Sequence, residues 1–257
     1  MNQNLIIGYQ THKGLVRTAN EDSLFINEEL GLFIVADGMG GHNAGEVASK
    51  LAVQEIPKQV RKGLALGKEA FSVIKDAIRE ADRAILEASM REPAWTGMGT
   101  TVVLAFLRGN NVLIGHIGDS RAYMIRTGKI TGLTEDHSLV AHWMAEGLIT
   151  PEEARTHPAR HTLLMALGTT GEIRPAISYQ PLENHDCILL CSDGLTEMLS
   201  DSELLETVVQ EDSPQDVCNQ LVRRANEKGG RDNITIILFC YNVGRRKVNQ
   251  SDPWGFQ

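Results

Sequence analysis

Apolar residues recur at helical spacing in two long stretches, Ala44 to Lys62 and Lys68 to Met90. Their texts, VASKLAVQEIPKQV and FSVIKDAIREADRAILEASM, each predict an amphipathic helix with one buried stripe. Gly63 to Gly67 separates them, so the two are expected to fold back as an antiparallel pair. Pro57 is expected to break or kink the first, because its ring removes a backbone donor and crowds the preceding turn. A third helix is predicted from Pro214 to Asn226, with Ser213 as its N-cap. The other apolar segments are short and bounded by turn residues: LIIGYQT, DSLFIN, GLFIVA, TTVVLAFL, NVLIGHI, RAYMIR, RPAISY, CILLCS and NITIILFCY. Turns fall at Arg108–Asn111, Thr127–Lys129 and Glu183–Asp186. Strands in hairpin order, interrupted by paired helices, predict an α+β fold of antiparallel sheets covered by helices. A doubly wound parallel sheet would alternate strand and helix regularly, and this chain does not. Residues 134–172 stand apart as mixed, polar and helical, and read as an inserted flap. No repeat or low-complexity linker divides the chain, so residues 1–243 are taken as one catalytic domain and 244–257 as a flexible polar tail.

A chain of 257 residues with 42% hydrophobic and 23% charged positions can bury a core without staples. The four cysteines, Cys187, Cys191, Cys218 and Cys240, lack metal-ligand spacing and are expected to be reduced, buried thiols of a cytoplasmic protein. No secretory signal pattern and no apolar run near the roughly 20 residues of a membrane span is visible. The net charge of −8 argues against a nucleic-acid partner, which would need a basic face to displace counterions. A phosphorylated substrate stays compatible, because bound divalent cations can invert the local field.

Four aspartates mark the ends of apolar strands: Asp37 in LFIVADGMGGH, Asp119 in VLIGHIGDSRA, Asp193 in ILLCSDGL and Asp232 in GGRDNITIIL. A carboxylate in such a place must be paired or must coordinate something. Arg121 and Arg231 are the only basic near neighbours, too few to neutralise all four. Carboxylates, carbonyls and waters are the ligands of Mg²⁺ and Mn²⁺, and the glycines beside them let a carbonyl such as that of Gly38 approach an ion. Asp37 and Asp193 follow their strands whereas Asp232 precedes its own. If the three share a site, the strand from Asn233 must run opposite to the other two.

The segments VRTANEDS, VADGMGGHNAGEVAS, TGMGTTVV, GHIGDSRAY, LTEDHSLV, LCSDGLTEML and RDNITIIL occur in this order between about Arg17 and Tyr241. Together they resemble the successive motifs of the metal-dependent protein phosphatase family (PPM, type 2C) in its bacterial single-domain form. The resemblance implies a four-layer αββα sandwich, two antiparallel sheets face to face with a helix pair outside each. It also implies hydrolysis of phosphoserine and phosphothreonine by a metal-activated water, reversing a cellular Ser/Thr kinase. Two Mn²⁺ or Mg²⁺ ions serve the core site, with a third, weaker one in bacterial members. Matched by motif, Asp37 bridges two metals, Asp193 and Asp232 hold the first, and the Gly38 carbonyl and Glu21 hold the second. Asp119 with Asp193 holds the third, and Asp22 orients waters from behind the ligands. Arg17, four residues before Glu21, is the candidate phosphate clamp, because a guanidinium offers a planar fork to phosphate oxygens. His42 matches the position assigned to a general acid; its alternative role is to order the loop and its waters. Asn233 is expected to orient the Asp232 carboxylate.

The partners so expected are phosphorylated proteins and a cognate Ser/Thr kinase, with no nucleic acid and no membrane, and the protein itself is expected to be a monomer. A non-catalytic relative would lack one or more of the acidic positions, and none is missing. A phosphatase of small metabolites would carry the same core. His137 is expected to hold the flap entrance, Trp143 to anchor a flap helix, and His157 and His161 to lie on the surface. HTLLMALGT departs from the usual bacterial pattern, with Leu164 and Met165 before Ala-Leu-Gly where a polar or basic residue is usual. That departure bears on substrate choice by the flap and leaves the metal chemistry untouched.

Overall fold

The structure, a computed structural model, describes residues 4–40, 44–169 and 171–242. The tail assigned to 244–257 lies outside them. In chain order the elements are β1 (Asn4–His12), β2 (Ser23–Asn27), β3 (Leu32–Ala36), β4 (Gly38–Met39), α1 (Ala44–Ala65) and α2 (Ala70–Arg91). Next come β5 (Gly99–Thr100), β6 (Val102–Arg108), β7 (Asn111–Ile117), β8 (Arg121–Arg126), β9 (Lys129–Gly132), α3 (Leu139–Ala145) and α4 (Pro151–Thr156). The chain continues with β10 (Ala176–Pro181), β11 (Cys187–Cys191), α5 (Asp193–Thr196), α6 (Asp201–Gln210), α7 (Pro214–Glu227) and β12 (Ile234–Asn242).

Two five-stranded sheets form, ordered β1-β12-β11-β8-β9 and β10-β7-β6-β3-β2, and every pairing in them is antiparallel. The predicted α+β sandwich is therefore observed. β12 runs against β11, as the shared site of Asp193 and Asp232 required.

The layers follow from strand alternation. On β3, Leu32, Ile34 and Ala36 face the α1–α2 pair, meeting Ile56 and Val60 of α1 and Ile74 and Ile78 of α2. Phe33 and Val35 point the other way, into the space between the sheets, with Val103, Ile188, Ile237 and Phe239. Both faces of this strand are covered, so it reads as a continuous apolar run rather than an alternating one. The second sheet turns Tyr123, Leu189 and Leu238 to its own outer side, against Leu204 of α6 and Val217 and Leu221 of α7. Phe33 and Phe239 stack across the middle with ring centroids 4.3 Å apart. Phe33→Ala, which removes a fully buried ring from both sheets at once, is expected to cost about 3–5 kcal/mol. A urea titration showing an unchanged midpoint would contradict that placement.

Several local expectations are corrected. α1 is unbroken through the buried Pro57, and it runs past Gly63 to Ala65. α6 was not foreseen, although Ser200 and Glu203 mark its start: the Ser200 N–H donates to Glu203 Oε2 at 3.0 Å. The cysteines are not all thiols. Cys187 and Cys240 face each other directly across β11 and β12, with Cα atoms 4.0 Å apart, and form a disulfide. Cys191 and Cys218 stay free, and burial pushes each thiol up to about 12. Ser213 does cap α7, accepting from the Asp216 N–H at 3.1 Å. No helix among the described residues is long and apolar enough to cross a membrane.

Residues 134–169 leave the sheets, form α3 and α4, and return through bridges from Ser138 to Leu163 and from Thr100 to Leu167. Trp143 meets His157 edge to face at 5.0 Å, tying α3 to the turn after α4. His137 stacks on His116 at 4.6 Å, and its Nδ1 accepts from the Gly118 N–H, so it holds the entrance to this segment.

Candidate metal centre

The ends of β3, β7 and β11 and the starts of β2 and β12 bring the acidic positions to one end of the sandwich. Two glycines allow the approach. A Cβ on Gly38 would lie 2.2 Å from the Gly45 carbonyl oxygen and 2.5 Å from that of Glu21, so only hydrogen fits between β4, α1 and the Glu21 segment. A Cβ on Gly194 would lie 2.0 Å from the Asn233 carbonyl oxygen, which lets Asp193 sit beside Asp232. Asp37 is held by its backbone: its N–H donates to Thr101 Oγ1 at 3.1 Å, and its carbonyl accepts from the Thr101 N–H at 2.9 Å and Thr100 Oγ1 at 2.8 Å. The side chain meets the carboxyls of Asp193 and Asp22.

Asn233 is the hub of the loops. Its Nδ2 donates to the carbonyls of Lys13 and Ala19, and its Oδ1 accepts from the Glu21 N–H at 2.7 Å. Its backbone N–H donates to Asp232 Oδ1 at 2.8 Å. Asp22 lies buried behind the rim, where its Oδ2 accepts from Ser192 Oγ at 2.8 Å. Arg17 is exposed at the edge and donates from Nη2 to Asp232 Oδ2 at 2.6 Å.

Electrostatics bind these residues into one cluster. Burial first, then the charges of Asp22, Asp193 and Asp119, hold the Asp37 carboxyl well above the usual carboxylate range. Burial and then Asp119, Glu197 and Asp232 do the same to Asp193. Burial pushes Asp22 up to about 6, and burial with the charge of Asp136 pushes Asp119 up to about 6. Glu21 is raised by burial, with Arg17 opposing. The hydrogen bond to Asp232 raises Arg17 further, and it also feels Glu21 and Asp37. Arg121 is held by Asp136, its Nε and Nη2 donating to the two carboxylate oxygens at 2.8 and 2.7 Å.

Acidic side chains that raise one another's proton affinity, with too little positive charge among them, suit hard divalent cations. Two buried oxygens, Asp22 Oδ1 and Asp193 Oδ1, have no hydrogen-bond partner, which fits atoms prepared for an ion or its waters. The residues present therefore fit the metals implied by the resemblance.

All the expected acidic positions, with Arg17, Gly38 and Asn233, meet here; His42 falls outside the described residues. Two participants were missed. Glu197 stands one helical turn beyond Asp193, its N–H bonded to the Asp193 carbonyl at 2.8 Å. His161 lies on the surface as expected, and there its Nδ1 also meets Glu197 Oε1 at 2.9 Å. The four-residue spacing of Asp193 and Glu197 in SDGLTE was the available signal for the first. Nothing local announced the second.

Comparison with known proteins places this arrangement. A serine/threonine phosphatase, stp, from Listeria welshimeri is 37% identical over 240 residues, 91% of this chain and 95% of that protein. The crystal structure of the serine/threonine phosphatase PstP/Ppp of Mycobacterium tuberculosis superposes with a TM-score of 0.85 at 36% identity, covering 93% of this chain and 99% of that one. A PstP catalytic domain solved in complex with two manganese ions gives a TM-score of 0.82 at 34% identity, covering 93% and 100%. The family model of protein phosphatase 2C matches residues 12–236, and the chain belongs to that family.

Proposed function

We propose that this chain removes phosphate from phosphoserine and phosphothreonine in proteins, opposing a Ser/Thr kinase of the same cell, and does so at the acidic pocket. The observation that carries the reading is the convergence of Asp37, Asp119 and Asp193, their proton affinities raised by burial and mutual repulsion, with Asp232 beside the exposed Arg17 guanidinium. In this reading Asp37 bridges two ions, Asp193 and Asp232 hold the first, and Glu21 and the Gly38 carbonyl hold the second. Asp119 joins Asp193 at a third, weaker position. Two Mn²⁺ or Mg²⁺ ions, when bound, neutralise phosphate charge and lower the pKa of a water from about 15.7 towards 7, making it a nucleophile at neutral pH.

The chain's own residues supply the rest. Arg17 holds its fork at the pocket edge through Asp232 and grips phosphate oxygens, fixing phosphorus for in-line attack. Asp22, anchored by Ser192, and Asn233, anchored to Lys13 and Ala19, keep the acidic side chains in register. As the water oxygen bonds to phosphorus and the ester P–O bond breaks, the leaving serine or threonine oxygen needs a proton, and His42 is its proposed donor. The assignment of residues 134–172 as a flap belongs to the same reading.

Purified protein with Mn²⁺ is expected to release phosphate from a phosphothreonine peptide, and EDTA to stop the release. Turnover indifferent to EDTA overturns the reading. Arg17→Ala is expected to lower kcat/KM by about 10- to 100-fold, the worth of a charge-assisted hydrogen bond of roughly 1.5–3 kcal/mol. Kinetics equal to wild type on the same peptide would remove Arg17 from the substrate.

A further inference from the structure

The turn that carries Arg17 presents two apolar side chains to solvent beside the acidic pocket. Leu15 is 64% exposed and Val16 67% exposed. A lone exposed leucine is ordinary on a protein surface, but these two are consecutive and stand immediately before the proposed phosphate clamp. They are also held still. The Leu15 and Val16 N–H groups both donate to the Gly230 carbonyl, at 2.7 and 3.3 Å, and the Gly14 N–H donates to His12 Nδ1 at 2.9 Å. Asn233 Nδ2 ties down the Lys13 carbonyl at 3.0 Å. A Cβ on Gly14 would lie 2.3 Å from the Asp232 carbonyl oxygen, and one on Gly230 would lie 3.0 Å from Leu15 Cγ. The turn therefore rests directly on the Gly230–Asp232 loop, and Asp232 is one of the proposed metal ligands.

Neither side chain belongs to the clusters that hold the sheets and helices together. Their neighbour is instead the place proposed for phosphate. Val16 adjoins Arg17 in the chain, and an extended peptide advances only about 3.3 Å per residue. With the phosphate on Arg17, a side chain one or two places away along the substrate falls beside Val16 and Leu15. Charge suits the same occupant. Lys13 and Arg231 are exposed in the two packed turns, and neither makes an ion pair among the described residues. A surface already fixed by hydrogen bonds gives up little freedom when it is covered, so the apolar contact it makes goes into affinity.

We infer that Leu15 and Val16 form an apolar ledge that receives a substrate side chain next to the phosphorylated one. The enzyme then favours phosphoproteins with an apolar residue within two places of the phosphoserine or phosphothreonine. Lys13 and Arg231 disfavour a basic flank at the same edge. The inference rests on the proposed function and narrows its substrate class. The ledge acts on the peptide around the phosphate and touches neither the proposed ions nor the reacting phosphorus.

The test measures kcat/KM of the full chain with Mn²⁺ on three phosphothreonine peptides. One has leucine on both sides of the phosphothreonine, one has serine there, and one keeps the leucines with lysines beyond them. Wild type is expected to favour leucine over serine by about 5- to 10-fold, the worth of a partly buried apolar side chain. It is expected to cleave the lysine peptide several-fold more slowly than its parent at low salt, with the gap closing at high salt. The double variant Leu15→Ser, Val16→Ser should match wild type on the serine peptide and lose the preference for leucine. Both side chains are exposed, so their replacement spares the core. No leucine preference in wild type, or one that survives in the double variant, overturns the ledge and leaves the proposed function standing. A double variant slowed equally on every peptide overturns it too, since the two residues would then serve only to support Arg17. A lysine peptide cleaved as fast as its parent overturns the part given to Lys13 and Arg231. A wild-type dimer that the double change splits into monomers, read by analytical ultracentrifugation, gives the ledge to a second copy instead and overturns the inference. Wild type that releases phosphate from none of the peptides overturns the proposed function, and the ledge with it.

Discussion

Asp37→Asn is expected to lower kcat/KM on a phosphothreonine peptide by at least about a thousandfold while leaving the protein folded. The amide keeps the shape of the side chain, and the backbone of residue 37 keeps its three hydrogen bonds to Thr100 and Thr101. What is lost is a charge and an acceptor between two proposed ions. Metal clamps contribute several kcal/mol of transition-state stabilisation, and about 4 kcal/mol is already a thousandfold in rate. The same change should stabilise the metal-free protein, because it relieves the repulsion that Asp37 exchanges with Asp22, Asp193 and Asp119. Lost turnover with a raised metal-free Tm at pH 8 is the expected pair of results, measured by steady-state kinetics and by calorimetry. A variant that keeps its rate contradicts the bridging assignment. One whose rate and Tm both fall points instead to a structural role.

The second large effect is on stability, and its sign depends on pH. The carboxyls of Asp22 and Asp119 are pushed from an ordinary value near 3.8 up to about 6. The folded, metal-free protein thus holds protons between these values that the unfolded chain has already released. Stability from these groups is complete below about pH 4 and is lost as pH rises through 6. Metal-free protein should therefore lose stability between pH 5 and pH 8 from this cause. Mn²⁺ reverses the trend, because it occupies the ionised cluster and competes with protons for the same oxygens. At a thousand times its Kd an ion adds about 4 kcal/mol, which for a chain of this size raises Tm by roughly 10 °C. Scanning calorimetry with and without Mn²⁺ should show a large shift at pH 8 and a small one at pH 5. Equal shifts at both would contradict the account of the cluster.

How much of this was visible in the sequence depended on how local each signal was. Asp37, Asp119, Asp193 and Asp232 could be read because each carboxylate interrupts the boundary of an apolar run, a feature contained within ten residues. The sheets were legible for the same reason, since β3 and β11 are apolar along their whole length and each is flanked by turn residues. What escaped depended on pairing at a distance. The disulfide needs the register that sets Cys187 opposite Cys240, 53 residues apart. His161 meets Glu197 only because the chain from 134 to 169 returns along Ser138 and Thr100. α6 is a different kind of miss, for its start was written in Ser200 and Glu203 and its short stripe of Leu204 and Val208 was overlooked. Pro57 shows propensity giving way: a helix packed on both α2 and a sheet tolerates one absent donor at its centre.

The most direct test is diffraction from crystals soaked in Mn²⁺, recorded at the manganese absorption edge. Two strong anomalous peaks about 4 Å apart are expected, both touching Asp37, one shared with Asp193 and Asp232 and the other with Glu21 and the Gly38 carbonyl. A single peak, or peaks remote from Asp37, would contradict the claim that this pocket assembles a two-ion centre.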